Sequence, residues 1–138
     1  MPKNKRIAVS GGFDPVHIGH IRMFREAAKL GTLYVILNSD DFLLKKKGKV
    51  FMPFAERKEI LENIDGVYEV VECIDEDMTV CDTLRLLKPD VFANGGDRIG
   101  SNTPEKEVCD AIGIQMLYNI GGEKVQSSSD LVSSYDCK

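Results

Sequence analysis

His17 and His20 are the two histidines of the chain, and they stand three residues apart in Gly11-Gly12-Phe13-Asp14-Pro15-Val16-His17-Ile18-Gly19-His20. On a helix this spacing puts both imidazoles on one face of a single turn, where they can serve one group. The adjacent glycines let backbone come close to a ligand. A helix start offers its unpaired N–H groups and the positive end of its dipole to an anion. Gly19 keeps that approach open, at a cost of about 1 kcal/mol in helix propensity relative to alanine. Together these residues describe a phosphate seat with two imidazoles beside it. Two other readings exist: a buried structural histidine pair, and a transition-metal site made by Asp14, His17 and His20. The dinucleotide fingerprint G-x-G-x-x-G and the P-loop are both absent.

Three further segments carry residues of the right chemistry. Lys45, Lys46, Lys47 and Lys49 cluster in a mildly acidic chain, either as a solvated loop or as cations for phosphate. The run Phe54-Ala55-Glu56-Arg57-Lys58-Glu59-Ile60-Leu61 follows, in which residue type alone makes Arg57 one more charge on an exposed helix face. Asn94-Gly95-Gly96-Asp97-Arg98 combines two glycines with an acid that could hold ribose hydroxyls or an exocyclic amine; a plain turn is the other reading. Ser127, Ser128 and Ser129, after Gly121-Gly122-Glu123-Lys124, could cap a helix and also aim hydroxyls and N–H groups at phosphate oxygens.

Alternating short apolar runs and helical periods must position these residues. The pattern predicts strands over 6–10, 32–38, 67–72, 91–94 and near 114–118. It predicts helices over 17–30, 54–64, 79–88 and about 104–111, with a last short one from about 128. Gly31 ends the first helix and Pro89 the third. Strands joined by right-handed crossover helices give a parallel sheet covered on both faces, so the expected fold is α/β, Rossmann-like, with three layers and five parallel strands. Ligands then bind beyond the carboxyl ends of the strands, where the segments after Ser10, Asn38, Asn94 and Asn119 should converge.

With 138 residues, 43% of them hydrophobic, the chain suits one domain over 1–138. Its longest apolar runs, such as residues 33–37, fall far short of the roughly 20 residues of a membrane span, and no leader pattern opens it. A cytoplasmic protein without a membrane partner is expected. A net charge of −4 argues against a general nucleic-acid binder. Cys73, Cys81, Cys109 and Cys137 form no C-x-x-C pair, which suits reduced structural thiols.

The segment from Gly11 to His20 resembles the H-x-G-H region of the cytidylyltransferase-like nucleotidyltransferases, which include glycerol-3-phosphate cytidylyltransferases and heptose-phosphate adenylyltransferases. The later landmarks recur in order over nearly the whole chain. The resemblance implies in-line attack by an acceptor oxygen on the α-phosphorus of a nucleoside triphosphate. By it, His17 and His20 donate to the α and bridging oxygens, and Lys46 and Arg57 reach the triphosphate and the acceptor phosphate. Gly11, Gly12, Phe13, Asp14, Gly19, Asn94, Gly96, Asp97, Ser127, Ser128 and Ser129 surround the nucleotide. Mg²⁺ is implied as cofactor, held mainly by the triphosphate, with no protein metal ligand. A homodimer is implied as well. The expected partners are CTP, or ATP, and a small phosphorylated acceptor such as glycerol 3-phosphate. CTP is favoured by overall length and by Asn63-Ile64-Asp65-Gly66-Val67-Tyr68-Glu69-Val70, which is similar to the R-Y-V-D-E-V region of the cytidylyltransferases. ATP is favoured by Asn94-Gly95-Gly96-Asp97 and by Gly121-Gly122-Glu123-Lys124 in place of R-T-x-G. Gly12 stands where the cytidylyltransferases usually carry threonine. An alternative from another class is a non-catalytic nucleotide-binding module, and a third is a metal-dependent hydrolase.

Overall fold

The central strands are apolar on both sides, and the two sides enter different cores. In β1 (Arg6–Gly11), Ile7 and Val9 join one cluster and Ala8 the other. In β2 (Thr32–Leu37), Leu33, Val35 and Leu37 face Ile36 in the same way, as do Val91 and Ala93 with Phe92 in β4 (Val91–Ala93). Strands of this kind are stable only when covered on both faces. In the computed structural model, which describes residues 5–75, 79–93 and 104–117, they pair with β3 (Val67–Glu72) and β5 (Gln115–Leu117). The sheet has five strands in the order β3-β2-β1-β4-β5, parallel at every pairing.

Helices close both faces. Met23, Phe24 and Ala27 of α1 (Ile18–Leu30) and Leu61 of α3 (Phe54–Glu62) complete the first cluster. Cys81 and Leu84 of α4 (Cys81–Leu87) with Val108 and Cys109 of α5 (Pro104–Ile112) complete the second. The expected three layers and five parallel strands are therefore present. The chain runs from β1 outward through β2 to β3, then returns to place β4 on the other side of β1. Between β1 and β4 the connections diverge, which opens the crevice where such sheets bind ligands.

Several boundaries move by one or two residues. The first helix begins at Ile18, with His17 outside it as N-cap, and α3 stops at Glu62 because the Ile64 N–H turns back to the Leu61 carbonyl. A larger correction concerns the lysines. Lys45, Lys46 and Lys47 end a helix rather than occupy a loop, and Lys49 follows it: α2 (Asp40–Lys47) starts where Ser39 Oγ accepts the Phe42 N–H at 3.1 Å and stops at Gly48, whose φ of 82° lets its N–H cap Leu44. Acids in its first turn and lysines in its last both complement the helix dipole. The segments after Asn94 and Asn119 and the expected helix from 128 lie outside the described residues.

At α4 the N-cap is Val80, which has no side-chain acceptor, and Asp75 supplies one from across the connection. Its carboxylate, 7% exposed, accepts the N–H groups of Asp82 at 2.7 Å and Thr83 at 2.9 Å, and the hydroxyls of Thr83 and Thr79. Burial alone would push this carboxyl up, but those hydrogen bonds outweigh it and hold its pKa below the ordinary aspartate value. Burial raises the neighbouring Cys73 thiol, and Cys109 is pushed up to about 11. Cys73, Cys81 and Cys109 are buried thiols, as expected of structural cysteines. Among the described residues no helix is long and apolar enough to cross a membrane.

Candidate active site

Past Gly11 the chain turns through residues 12–17 into α1. His17 is extended (φ −141°, ψ −178°), and its Nδ1 accepts the Gly19 N–H at 3.1 Å. The His17 N–H in turn donates to Nδ1 of His20 at 3.2 Å. The pair is a capping box in which imidazoles take the places usually held by serine and glutamate. The rings stack with centroids 3.8 Å apart at 20°, both half-buried. Each Nδ1 acts as an acceptor, so each neutral ring carries its proton on Nε2. The capping interactions thereby fix the tautomer of each neutral ring, with Nε2–H as its donor.

Gly19 has a different reason from the open approach that the sequence suggested. A Cβ there would lie 2.9 Å from Cε1 and 3.1 Å from Nδ1 of His17. The glycine makes room for the His17 ring itself.

Two residues expected around the nucleotide make contacts within the protein that shape the loop. Phe13, at φ 48°, turns its ring inward, where it is 4% exposed and meets His20 edge-on at 4.7 Å and Phe24 at 5.2 Å. It is a floor for the histidine pair, and its positive φ is the kind of strain that functional loops retain. The Asp14 carboxylate is 5% exposed and accepts the N–H groups of Phe51 and Met52, each at 2.6 Å. That clamp ties the loop before α1 to the segment before α3. Among the described residues no group of three His, Cys, Asp or Glu side chains could hold a metal ion. Gly12 is matched by its surroundings: a Cβ would meet Leu43 Cδ2 of α2 at 2.6 Å, so Leu43 fills the space a threonine would need.

Arg57 departs most from expectation. It is not on an exposed helix face; its side chain is completely buried. Nε donates to the Met52 carbonyl at 2.9 Å, and Nη1 to the carbonyls of Gly12 and Asn38 at 2.8 Å each. Nη2 pairs with Asp40 at 2.6 Å. A planar guanidinium with several donors suits this junction, since one side chain satisfies the ends of β1 and β2 and the start of α2 together.

Residues 8–129 match the family model described as cytidylyltransferase-like. The chain belongs to that family. It is 33% identical over 109 residues to the glycerol-3-phosphate cytidylyltransferase of Bacillus spizizenii, covering 78% of this chain and 84% of that one. With the FAD synthase of Ferroglobus placidus the identity is 34%, over 68% of this chain and 60% of the relative. With the bifunctional protein HldE of Streptomyces coelicolor it is 37%, over 72% and 22%. The chain thus spans less than two thirds of that FAD synthase and under a quarter of that HldE. The crystal structure of the lipopolysaccharide core biosynthesis protein from Thermoplasma volcanium superposes with a TM-score of 0.71 at 24% identity, covering 90% of this chain and 100% of that one. That likeness establishes the fold.

Within this cytidylyltransferase-like chain the lysines divide. Lys45 lines an open cleft of about 710 Å³ with Ser39, Asp41, Phe42, Glu72 and Asp75, beyond the ends of β2 and β3. The Lys46 ammonium lies 5.9 Å from the centre of the Phe42 ring. Lys49 is exposed beyond Gly48. Asn94, Gly96, Asp97, Ser127, Ser128 and Ser129 lie outside the described residues, as does the Lys47 side chain. Asn38 is a polar residue that sequence reading passed over. It is 5% exposed at the carboxyl end of β2, and its Oδ1 has no hydrogen-bond partner among the described residues. The available signal was an amide ending an otherwise apolar strand on the binding edge.

Proposed function

We propose that this chain is a nucleotidyltransferase that moves CMP from CTP to a small phosphorylated acceptor and releases pyrophosphate. The histidine pair carries the reading: two stacked imidazoles, each with Nδ1 used as an acceptor, at the start of a helix beyond the first strand. An acceptor phosphate oxygen attacks the α-phosphorus, a new P–O bond forms, and the bond to the bridging oxygen breaks as pyrophosphate departs. Negative charge grows on the α and bridging oxygens. Positioned Nε2–H donors and the α1 dipole stabilise that charge more than they stabilise the ground state. The acceptor is already an oxyanion at neutral pH, so no strong base is required. Lys45 or Lys46 offsets repulsion between the two anions, and Arg57 acts as a positioning residue that fixes the Gly12 and Asn38 carbonyls. Gly11, Gly12 and Gly19 contribute main chain around the phosphates, and Asn94, Gly96, Asp97 and Ser127, Ser128 and Ser129 complete the nucleotide contacts.

Magnesium enters this reading as an ion carried mainly by the triphosphate, as the family resemblance implies. When bound it would neutralise phosphate charge. A cytoplasmic homodimer completes the proposal, since two-fold pairing is the commonest closed arrangement; a monomeric mass by light scattering at micromolar concentration would contradict it.

Adenylyl transfer is the second reading, supported by similarity to proteins named FAD synthase. The test is pyrophosphate release from each of the four nucleoside triphosphates against a library of phosphomonoesters. CTP is expected to exceed ATP by at least about tenfold in kcat/KM, a demand of roughly 1.4 kcal/mol. Turnover of ATP with none of CTP would replace the cytidylyl reading by the adenylyl one, and binding without pyrophosphate release would leave a nucleotide-binding module.

A further inference from the structure

We propose that Leu43 is a positioning residue: wedged against the main chain at Gly12, it sets how far the lysine-bearing end of α2 stands from the phosphate loop. The inference rests on the nucleotidyl-transfer reading, in which Lys45 or Lys46 meets phosphate. Leu43 is 1% exposed, yet it belongs to neither of the two apolar clusters that cover the faces of the sheet. A leucine buried so deeply outside both cores packs on something else, and the phosphate loop is part of it.

A Cβ built on Gly12 would stand 2.6 Å from Leu43 Cδ2, 3.7 Å from its Cγ and 3.9 Å from its Cδ1. The branched end of the leucine therefore lies over the side of Gly12 that carries no side chain. Carbon atoms in ordinary contact stand about 3.5–4.0 Å apart. The gap admits this leucine and this glycine together, and no methyl more. An apolar spacer also sets the gap without taking any N–H of the loop from an anion.

At its start α2 is tied to the same loop by charge. Asp40 pairs with Nη2 of Arg57, whose Nη1 holds the Gly12 and Asn38 carbonyls. Leu43 repeats the tie three residues further along, without polar groups. Two attachments nearly a turn apart fix the tilt of a helix as well as its distance. From there the helix carries the spacing onward. Lys46, three residues past Leu43, is its neighbour on the helix surface. Lys45, two residues past it, lines the cleft beyond β2 and β3. A change in the wedge therefore moves both ammonium groups relative to the phosphate seat, and a displacement of about 1 Å is enough to spoil a positioned contact.

The experiment titrates CTP and ATP, each with Mg²⁺, into wild type, Gly12→Ala, Leu43→Ala, Leu43→Val and the combined Gly12→Ala/Leu43→Ala. Calorimetry reads the affinity, at a temperature where circular dichroism shows each protein folded. The two alanine variants change the gap in opposite senses, one adding a methyl and the other removing the wedge. Each is expected to weaken binding of the triphosphate that wild type prefers by about tenfold or more, and Leu43→Val by about fivefold. Combined, they should bind within about threefold of wild type and tighter than either alone, because the methyl takes the place of the wedge. A second cycle identifies what the wedge positions. In a Lys45→Ala/Lys46→Ala background, Leu43→Val should cost less than about twofold, since the lysines it places are gone. Additive losses in either cycle would overturn the proposal, as a leucine that only fills space gives the same loss with or without the lysines. Wild-type affinity in both Gly12→Ala and Leu43→Val would overturn it too. Should Leu43→Ala not fold, those two variants and the lysine cycle still decide. Failure of wild type to bind CTP or ATP would instead remove the nucleotidyl-transfer reading itself.

Discussion

Each imidazole of the pair accepts an N–H at the start of α1 through Nδ1, and the proposed transfer would use its Nε2–H as a donor. Their replacement should therefore separate stability from rate. His17→Ala and His20→Ala are each expected to lower kcat by about 10²–10⁴. His17→Ala alone should also cost about 0.5–2 kcal/mol as a lost N-cap. Turnover within threefold of wild type, on the scale of a lost charge-stabilising donor, would remove the assigned role. Gly19→Ala probes the same geometry from outside, because the added methyl meets the His17 ring at 2.9 Å. A drop in kcat of about tenfold or more is expected, with helix content unchanged by circular dichroism. The histidine pair was legible in sequence because its meaning is local, two residues and one turn. Phe13, Asp14 and Arg57 were not, because their partners lie 11, 37, 38 and 45 positions away in Phe24, Phe51, Met52 and Gly12. A charged side chain looks the same in a sequence whether it ends in solvent or in a buried junction.

Among the elements, α2 shows what periodicity misses. Its apolar residues Phe42, Leu43 and Leu44 are consecutive, so no helical stripe appears, and the lysines draw attention as a charge run. Its ends carried the signal: serine before two aspartates, and glycine after three lysines. The start of α4 was misplaced for a related reason, since its cap comes from Asp75 rather than from the residue before the helix. This distant cap gives a pH prediction. The folded carboxyl titrates below its ordinary value of 3.8. Its stabilisation is therefore complete above that value and is lost as pH falls through the lower, folded pKa. Asp75→Asn, which sets an amide NH₂ against an N–H donor, should destabilise the protein at pH 7 by about 1–3 kcal/mol. Urea unfolding at a series of pH values should show the gap from wild type narrowing below 3.8; a gap constant down to the acid transition would refute the cap. The five strands were the easiest elements to read, because double-sided burial writes itself as short apolar runs.

For the whole molecule, the sheet and its layers followed from alternation alone, whereas the joining of the loops beyond the strands did not. Arg57 makes that joint, and its removal leaves the Gly12, Asn38 and Met52 carbonyls without their donor. Arg57→Ala should cost about 2–4 kcal/mol, with Arg57→Lys recovering only part because an ammonium cannot reach the same acceptors in one plane. Equal urea midpoints for Arg57→Ala and wild type would show the junction to be dispensable. The same tie sets how the site is lost. A floor held from the ends of two strands, a helix start and the Met52 segment cannot open one loop at a time. The amide protons of Asn38 and Gly48, one beside the junction and one capping α2 behind it, should differ in hydrogen exchange accordingly. The first should exchange only with global unfolding and the second through local fraying. Binding competence would then vanish in a single step with the fold, leaving no population that is folded yet has a dismantled phosphate seat.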